Sequence, residues 1–362
     1  MFRSARQLIL IIVGLYVSLL IPADISSACS RILWNTNKQA VVVARSWDFD
    51  QPFDQRLVIY PRGIKVQGGA GENSLAWVSK YGSIGVAVFA GLKAPEGSGS
   101  KDKDPLVDGN SEGINEKGLA AHLLYLHVTK YEQRDVRKPG VSCLRWLRYV
   151  LDNFETVKDA VTALRDVQVV PVELGGIISP LHMAIEDPGG DSAIIEFIDG
   201  NMVIHHGREY TVMTNDPPYP VQVENLKRYK PFGGVIEEPP GGVEPEDRFV
   251  RASAFLKTLP EPKDQTEAVA YLYGVIRNVS VPFGALYRSG PGAGTYPTWW
   301  TSASDLKDRR FYFNWTSNPN VVWVNLRRVD FAAGKPTKFL DPRQIDLVGD
   351  VTEKFVPAPT GK

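Results

Sequence analysis

The sequence predicts an α+β domain in which sheets lie between helical layers. Two observations point to this. Strand-like and helix-like runs come in blocks, in the order strands, helices, strands, helices, strands. They do not alternate regularly, which argues against a parallel, doubly wound sheet. Composition adds a third: 43% hydrophobic and 23% charged residues over 362 positions is the balance of a soluble globular chain of one large domain or two ordinary ones.

The elements follow in order. Residues 30–33 and 40–49 flank an Asn-Thr-Asn-Lys turn at 35–38 and read as a hairpin. Residues 57–60 and 75–90 read as strands, the second bent at Tyr81-Gly82. The stretch 95–112 is rich in Gly, Ser and charge and reads as a solvated loop, followed by an apolar run at 118–126. Leu144, Leu147, Leu151, Phe154, Val157, Val161 and Leu164 recur at three- and four-residue steps, which predicts a helix. Residues 191–198 and 202–206 flank Asp199-Gly200, a hairpin turn, and 210–214 adds a strand. Residues 248–258 and 266–278 read as helices, and 299–302, 310–315 and 321–326 as strands. The Pro/Gly-rich stretch 231–246 reads as a long loop and a candidate lid. Strands resume after it, so it does not divide the chain, and residues 29–362 are taken as one domain with a short C-terminal tail.

The N-terminus departs from the average. Arg3 and Arg6 precede an apolar run over residues 8–21, and Ser26-Ser27-Ala28 supplies small residues where a signal peptidase reads. That pattern predicts a signal peptide over 1–28, removed on export to the periplasm or the medium. The run is short for a membrane span of about 20 residues, so cleavage is favoured over a retained anchor, with no stable membrane insertion afterwards. Lys+Arg and Asp+Glu are equal at 41 each and no basic block is present, which excludes an electrostatic nucleic-acid partner.

Cleavage after Ala28 would make Cys29 the first residue. Free Cys has a pKa of about 8.5 and needs a base or a positive environment to act as a nucleophile. A liberated α-amine titrates at about 7.7–8.0, whereas an internal amide nitrogen has no basicity. On the local sequence three readings of Cys29 stand level: an N-terminal nucleophile, a lipid-attachment site of an anchored binding protein, and a structural cysteine. The lipid signal usually has Leu three residues upstream, where this chain has Ser26. A bond to Cys143 is allowed by counting, but Cys143 falls on the predicted helix stripe, where a buried hydrophobe is the default.

Downstream residues favour the nucleophile. Arg45 and Asp48 lie on the strand paired with the one that starts at Cys29, where a guanidinium would lower a thiol pKa and a carboxylate could hold an amine. The competing reading is a surface ion pair of little worth. Asn215 sits at a strand end in Val-Met-Thr-Asn-Asp-Pro, placed to donate to an oxyanion, or simply to shape the turn before Pro217. Asn115 and Arg248 are further polar residues in apolar surroundings.

Together these residues resemble the choloylglycine hydrolase / penicillin V acylase family of N-terminal nucleophile hydrolases. The resemblance runs from Cys29 to about Phe331 and rests on ordered motifs: Cys29-Ser30-Arg31, Ala44-Arg45-Ser46-Trp47-Asp48, Asp108 with Gly113-Ile114-Asn115-Glu116-Lys117-Gly118-Leu119, Met213-Thr214-Asn215, Asp247-Arg248-Phe249-Val250-Arg251-Ala252, and Trp300-Thr301 with Asp305-Leu306. It implies an αββα four-layer sandwich and hydrolysis of a linear, non-peptide C–N amide bond without cofactor or metal. The implied roles are Cys29 as nucleophile, its α-amine as base, Asp48 holding amine and thiol, Arg45 tuning the thiol, Asn215 as oxyanion donor and Arg248 completing the polar site. Tyr125 falls where the family supplies a second oxyanion donor; bile salt hydrolases often have Asn there, and an aromatic looks more like the penicillin V acylases. His205-His206-Gly207 and the leader resemble the exported Gram-negative cluster, whose members include acyl-homoserine-lactone acylases. The resemblance thus implies a small N-acyl amide substrate: a penicillin V type, with a bile salt or an acyl-homoserine lactone as alternatives. Homotetramers occur in the family.

The remaining residues carry weaker signals. His122, His127, His182, His205 and His206 lack metal-ligand spacing and read as strand-packing or surface residues. Trp299-Trp300 reads equally as pocket lining or sheet core. Asn278 and Asn314 head glycosylation triplets of a kind that arise often by chance.

Overall fold

The computed structural model describes residues 29–88, 109–174, 177–286 and 294–358. The predicted signal peptide, most of the 95–112 loop and the last four residues lie outside the described residues.

Two large sheets face each other. One is seven-stranded, in the order Val212–Met213, Ser30–Trp34, Val42–Asp48, Thr298–Asp305, Arg310–Trp315, Val322–Asn325, Gly349–Asp350. The other is nine-stranded, in the order Asn201–His206, Ser192–Ile198, Leu181–Glu186, Ala120–Tyr125, Asn110–Asn115, Ser83–Ala87, Arg56–Tyr60, Lys338–Leu340, Val356–Pro357. Helices α1 (Trp146–Asn153) and α2 (Val157–Leu164) cover the outer face of the nine-stranded sheet. Helices α4 (Pro245–Thr258) and α5 (Gln265–Val279) cover the seven-stranded one, and α3 (Tyr219–Leu226) packs beside α4. The result is the expected four-layer αββα sandwich.

The period of two along a strand explains the layering. In Val42–Asp48, Val42 and Ala44 meet Leu272 and Ile276 of α5, while Val43 points into the space between the sheets with Leu33, Leu57, Ile84 and Trp300. In Ala120–Tyr125, Ala121 and Leu123 meet Leu147 and Val150 of α1, while Ala120 and Leu124 face the other sheet. The Asp199-Gly200 turn closes its hairpin with both residues at positive φ, 51° and 77°, as a tight two-residue turn requires.

Four expectations need correction. The single helix read over 144–164 is two. Phe154 is extended, and Thr156 caps α2 by accepting from the Asp159 N–H at 3.1 Å. The apolar period survives the break because both helices cover the same sheet. The 95–112 loop ends early: Asn110–Asn115 is a fully buried strand, because its polar side chains find partners across the fold, Tyr60 Oη on Asn110 (3.1 Å) and Trp300 Nε1 on Glu112 (2.9 Å). Cys143 precedes α1 instead of lying on it, and both cysteines are buried and free. The 231–246 stretch is no detached lid at its C-terminal end. Arg251 Nη1 donates to Pro240 O at 2.8 Å and to Gly242 O at 2.5 Å, and Arg248 Nε donates to Val243 O at 2.9 Å. The strand Leu181–Glu186 and helix α3 had no sequence expectation; α3 starts between prolines.

Candidate active site

Cys29 lies at the head of strand Ser30–Trp34, 2% exposed, packed with Leu124, Ala184, Ile194 and Met213 and flanked by the half-buried aromatics Trp47, Tyr210 and Tyr219. The adjacent strand is in antiparallel register with Ser30 opposite Ser46 and Arg31 opposite Arg45. That register sets Arg45 Nη2 at 3.8 Å from the Cys29 sulfur.

The Arg45 guanidinium is fixed by the carbonyls of Ser111 (2.7 Å) and Leu123 (2.8 Å) and lies over the Trp47 ring. Arg45 and Asp48 are both fully buried, which removes the surface-pair reading. They do not pair with each other: Arg45 faces Glu112 at 3.8 Å and Asp48 faces Arg248 at 3.9 Å. Asp48 accepts from Ser46 Oγ (3.1 Å) and Thr298 Oγ1 (2.5 Å). A β-bulge between Thr298 and Trp300 puts Thr298 opposite Asp48 while Trp300 stacks on Trp47 at 4.8 Å. Ser46 and Thr298 had no assigned role in the sequence reading; Ser46 sits inside a quoted motif, but Thr298 carried no signal because a bulge brings it there.

Arg248, on the first turns of α4, is the hub. Its Nη1 donates to Cys29 O (2.7 Å) and Ser30 Oγ (2.5 Å), and its Nη2 to Asn215 Oδ1 (2.9 Å). A guanidinium has no acceptor, so the Asn215 oxygen must face Arg248. The Asn215 NH₂ then faces the Tyr125 carbonyl, to which it donates at 2.7 Å, and one N–H remains for another acceptor. The side chain is therefore not used in the turn before Pro217. Tyr125 closes its strand half-buried, its carbonyl orienting Asn215. Residues 29, 45, 48, 125, 215 and 248, scattered along the chain, thus converge.

Other sequence candidates are placed elsewhere. Asn115 donates to Leu151 O and Phe154 O and accepts from the Lys117 and Leu119 N–H groups, tying α1 to the hairpin between residues 110 and 125. Trp300 is sheet core, while Trp299 packs on Phe283 and Trp315. Asn314 donates to three backbone carbonyls. His122 and His182 are buried against carboxylates, Glu186 at 2.7 Å and Glu196 at 3.7 Å, a closer involvement than packing alone.

Burial pushes the Cys29 thiol above its ordinary value; Arg45 opposes this and Asp48 adds to it. Burial also pushes the Asp48 carboxyl up to about 7, against the pull of Arg248 and the Thr298 and Ser46 hydroxyls. The unfolded value is 3.8. The folded chain therefore holds this proton longer, and the contribution to stability is whole below about pH 4 and lost as pH rises through about 7. Asp48→Asn is expected to remove that dependence. Urea midpoints compared at pH 5 and pH 8 check it: the variant gains on the parent at the higher pH, and a difference that does not change with pH contradicts the assignment.

A family model described as linear amide C–N hydrolases, choloylglycine hydrolase family, matches residues 29–339. The chain is 35% identical to the penicillin V acylase of Pectobacterium atrosepticum, over 94% of this chain and 93% of that one. It is 23% identical to the bile salt hydrolase/transferase of Clostridium perfringens, over 83% and 93%. Among solved structures, the penicillin V acylase from Agrobacterium tumefaciens superposes with a TM-score of 0.78 at 34% identity, covering 91% of this chain and 98% of that one. A conjugated bile acid hydrolase from Clostridium perfringens gives 0.70 at 21% identity, covering 89% and 98%, a likeness of fold.

Proposed function

The chain belongs to the choloylglycine hydrolase family of linear amide C–N hydrolases, and from that premise we propose that it is exported, that removal of residues 1–28 frees Cys29, and that the mature enzyme is a penicillin V-type acylase using Cys29 as nucleophile. The observation that carries this is the convergence of Arg45, Asp48, Asn215 and Arg248 on Cys29.

In the proposed reaction the Cys29 sulfur attacks the amide carbonyl carbon and its proton passes to the α-amine. The carbonyl oxygen, now negative, accepts from the second N–H of Asn215, with the Tyr125 position as a second donor. The C–N bond breaks as the α-ammonium returns the proton to the leaving nitrogen, leaving a thioester. Water, deprotonated by the same amine, attacks the thioester carbon and releases the acid and the thiol. An uncleaved chain would offer only an amide nitrogen beside a thiol that burial holds protonated, so cleavage is the activating step. Asp48 closes the neighbouring strand Val42–Asp48, its backbone carbonyl 4.0 Å from the Cys29 sulfur, and serves to orient the ammonium. The aromatic side chains of Trp47, Tyr210 and Tyr219 beside Cys29 suit an aryl-bearing acyl group. The similarity to two penicillin V acylases at 34–35% identity supports that substrate over a bile salt.

Intact mass and N-terminal sequencing of the protein secreted by an expressing Gram-negative host test the reading, with hydrolysis of penicillin V and glycine-conjugated bile salts measured on the same sample. A free Cys29 and faster turnover of penicillin V are expected. A lipid-modified Cys29, or a mature chain beginning upstream of it, removes the base and with it the mechanism.

A further inference from the structure

Between the sheets runs a chain of buried ionisable groups that the reaction just described does not use. It starts at Arg45, beside the Cys29 sulfur. Arg45 Nη1 lies 3.8 Å from Glu112 Oε1. Glu112 Oε2 lies 3.6 Å from His122 Nδ1, and His122 Nε2 lies 2.7 Å from Glu186 Oε1. Glu186 Oε2 accepts from Arg31 Nε at 3.0 Å and from Arg31 Nη2. All five side chains are at most 2% exposed. The strand period places them: Arg31 and Arg45 sit opposite each other on one sheet, and Glu112, His122 and Glu186 share neighbouring registers on the other. Trp300 Nε1 and Ser302 Oγ complete the shell of Glu112, and Ser192 Oγ and Tyr210 O complete that of Arg31.

The charge balance of this chain leads to the thiol. Two guanidiniums and two carboxylates cancel. An imidazolium at His122 then leaves one excess positive charge in a region of low dielectric, where an unbalanced charge is costly. Burial opposes the charged form of His122, but Glu186 and Glu112 outweigh it and raise its pKa overall. Asp48 faces Arg248 at 3.9 Å and stands outside this chain of groups. At the Arg45 end, the group that can supply the matching negative charge is the Cys29 thiolate.

We propose that Glu112 and His122 are positioning residues for the nucleophile, setting through Arg45 the electrostatic field at the Cys29 sulfur. The catalytic half of this rests on Cys29 being the nucleophile; the charge coupling does not. Removing the imidazolium makes the surroundings of Arg45 more negative and disfavours the thiolate. Removing the Glu112 charge leaves Arg45 less compensated and favours it, while the Ser111 and Leu123 carbonyls still hold the guanidinium. The two changes push the thiol in opposite directions, which a purely structural role would not do.

The test is the pH dependence of Cys29 alkylation by iodoacetamide in the mature protein, read by mass spectrometry at the Cys29 peptide and separated from Cys143. His122→Gln is expected to move the midpoint up and Glu112→Gln to move it down, each by about one pH unit, for a buried charge removed one contact (Glu112) or two contacts (His122) beyond Arg45. Midpoints that stay put, or that move the same way, overturn the proposal. Where a variant does not fold, ¹⁵N NMR of His122 in the wild-type chain decides: an imidazolium at pH 7 supports the chain of charges, and a neutral ring overturns it. Turnover by Cys29→Ala, measured separately, judges the nucleophile without touching this result.

Discussion

Cys29→Ala is expected to lose amide turnover by on the order of 10⁴-fold or more while the sheets stay folded. The side chain is buried, but it is small, and its loss leaves a cavity costing about 1 kcal/mol. The loss should fall on kcat, because Trp47, Tyr210 and Tyr219 around the site are untouched. Cys29→Ser keeps the shape and the hydrogen-bonding capacity but replaces a thiol by a hydroxyl that ionises far less readily, so it should fall almost as far. The control is Cys143→Ala. Burial pushes the Cys143 thiol up to about 11, and it lies across the nine-stranded sheet among the α1 and α2 side chains, so its removal should leave kcat near the parent value. Penicillin V hydrolysis followed by product release, with circular dichroism on each variant, reads all three. A Cys29→Ala protein within tenfold of the parent would end the covalent mechanism.

Asn215→Ala should cost 10²- to 10³-fold in kcat with a small change in KM, the size seen when one rigid oxyanion donor is removed (about 3–4 kcal/mol). The reason lies in how the amide is clamped. Arg248 compels its oxygen to one side and the Tyr125 carbonyl takes one N–H on the other, so the remaining N–H cannot rotate away. Asn215→Asp separates orientation from donation. The carboxylate still accepts from Arg248 but has no N–H to offer, and it faces the Tyr125 carbonyl oxygen, so it should be no better than Ala. An Asp variant that recovers activity would show that Asn215 works by holding Arg248. A raised KM with unchanged kcat would place it in ground-state binding instead.

Much of the local structure was readable because it depends on local patterns. The hairpin at Asp199-Gly200 needs two residues at positive φ, and that dipeptide supplies them. Helices α4 and α5 carry an apolar face and acidic first turns. Asp264 caps α5 by accepting from the Glu267 N–H at 2.9 Å, a signal present in the residues themselves. Local pattern is silent where a polar strand is rescued from a distance. Asn110, Ser111 and Glu112 look like loop, and they are strand because two neighbouring strands pair their backbone while Tyr60, Trp300, Ser302 and the Val86 carbonyl satisfy their buried side chains. It is silent too at Thr156, a cap residue inside an unbroken apolar period.

The sequence by itself determined the class of chemistry, because a cysteine at a predicted cleavage site followed by ordered Arg, Asp and Asn motifs carries the family resemblance without coordinates. Tertiary structure decided how those groups are tuned. Which way Asn215 points depends on Arg248 from a helix 33 residues further on. The Asp48 carboxyl is raised by burial between the layers, against the pull of Arg248 and of Thr298 from a bulged strand 250 residues away. Whether His122 is a packing residue or part of a chain of charges depends on the two carboxylates that neighbouring strands turn toward the same face. Desolvation and Coulomb interaction are properties of distance and burial, and neither is written in the order of residues along the chain.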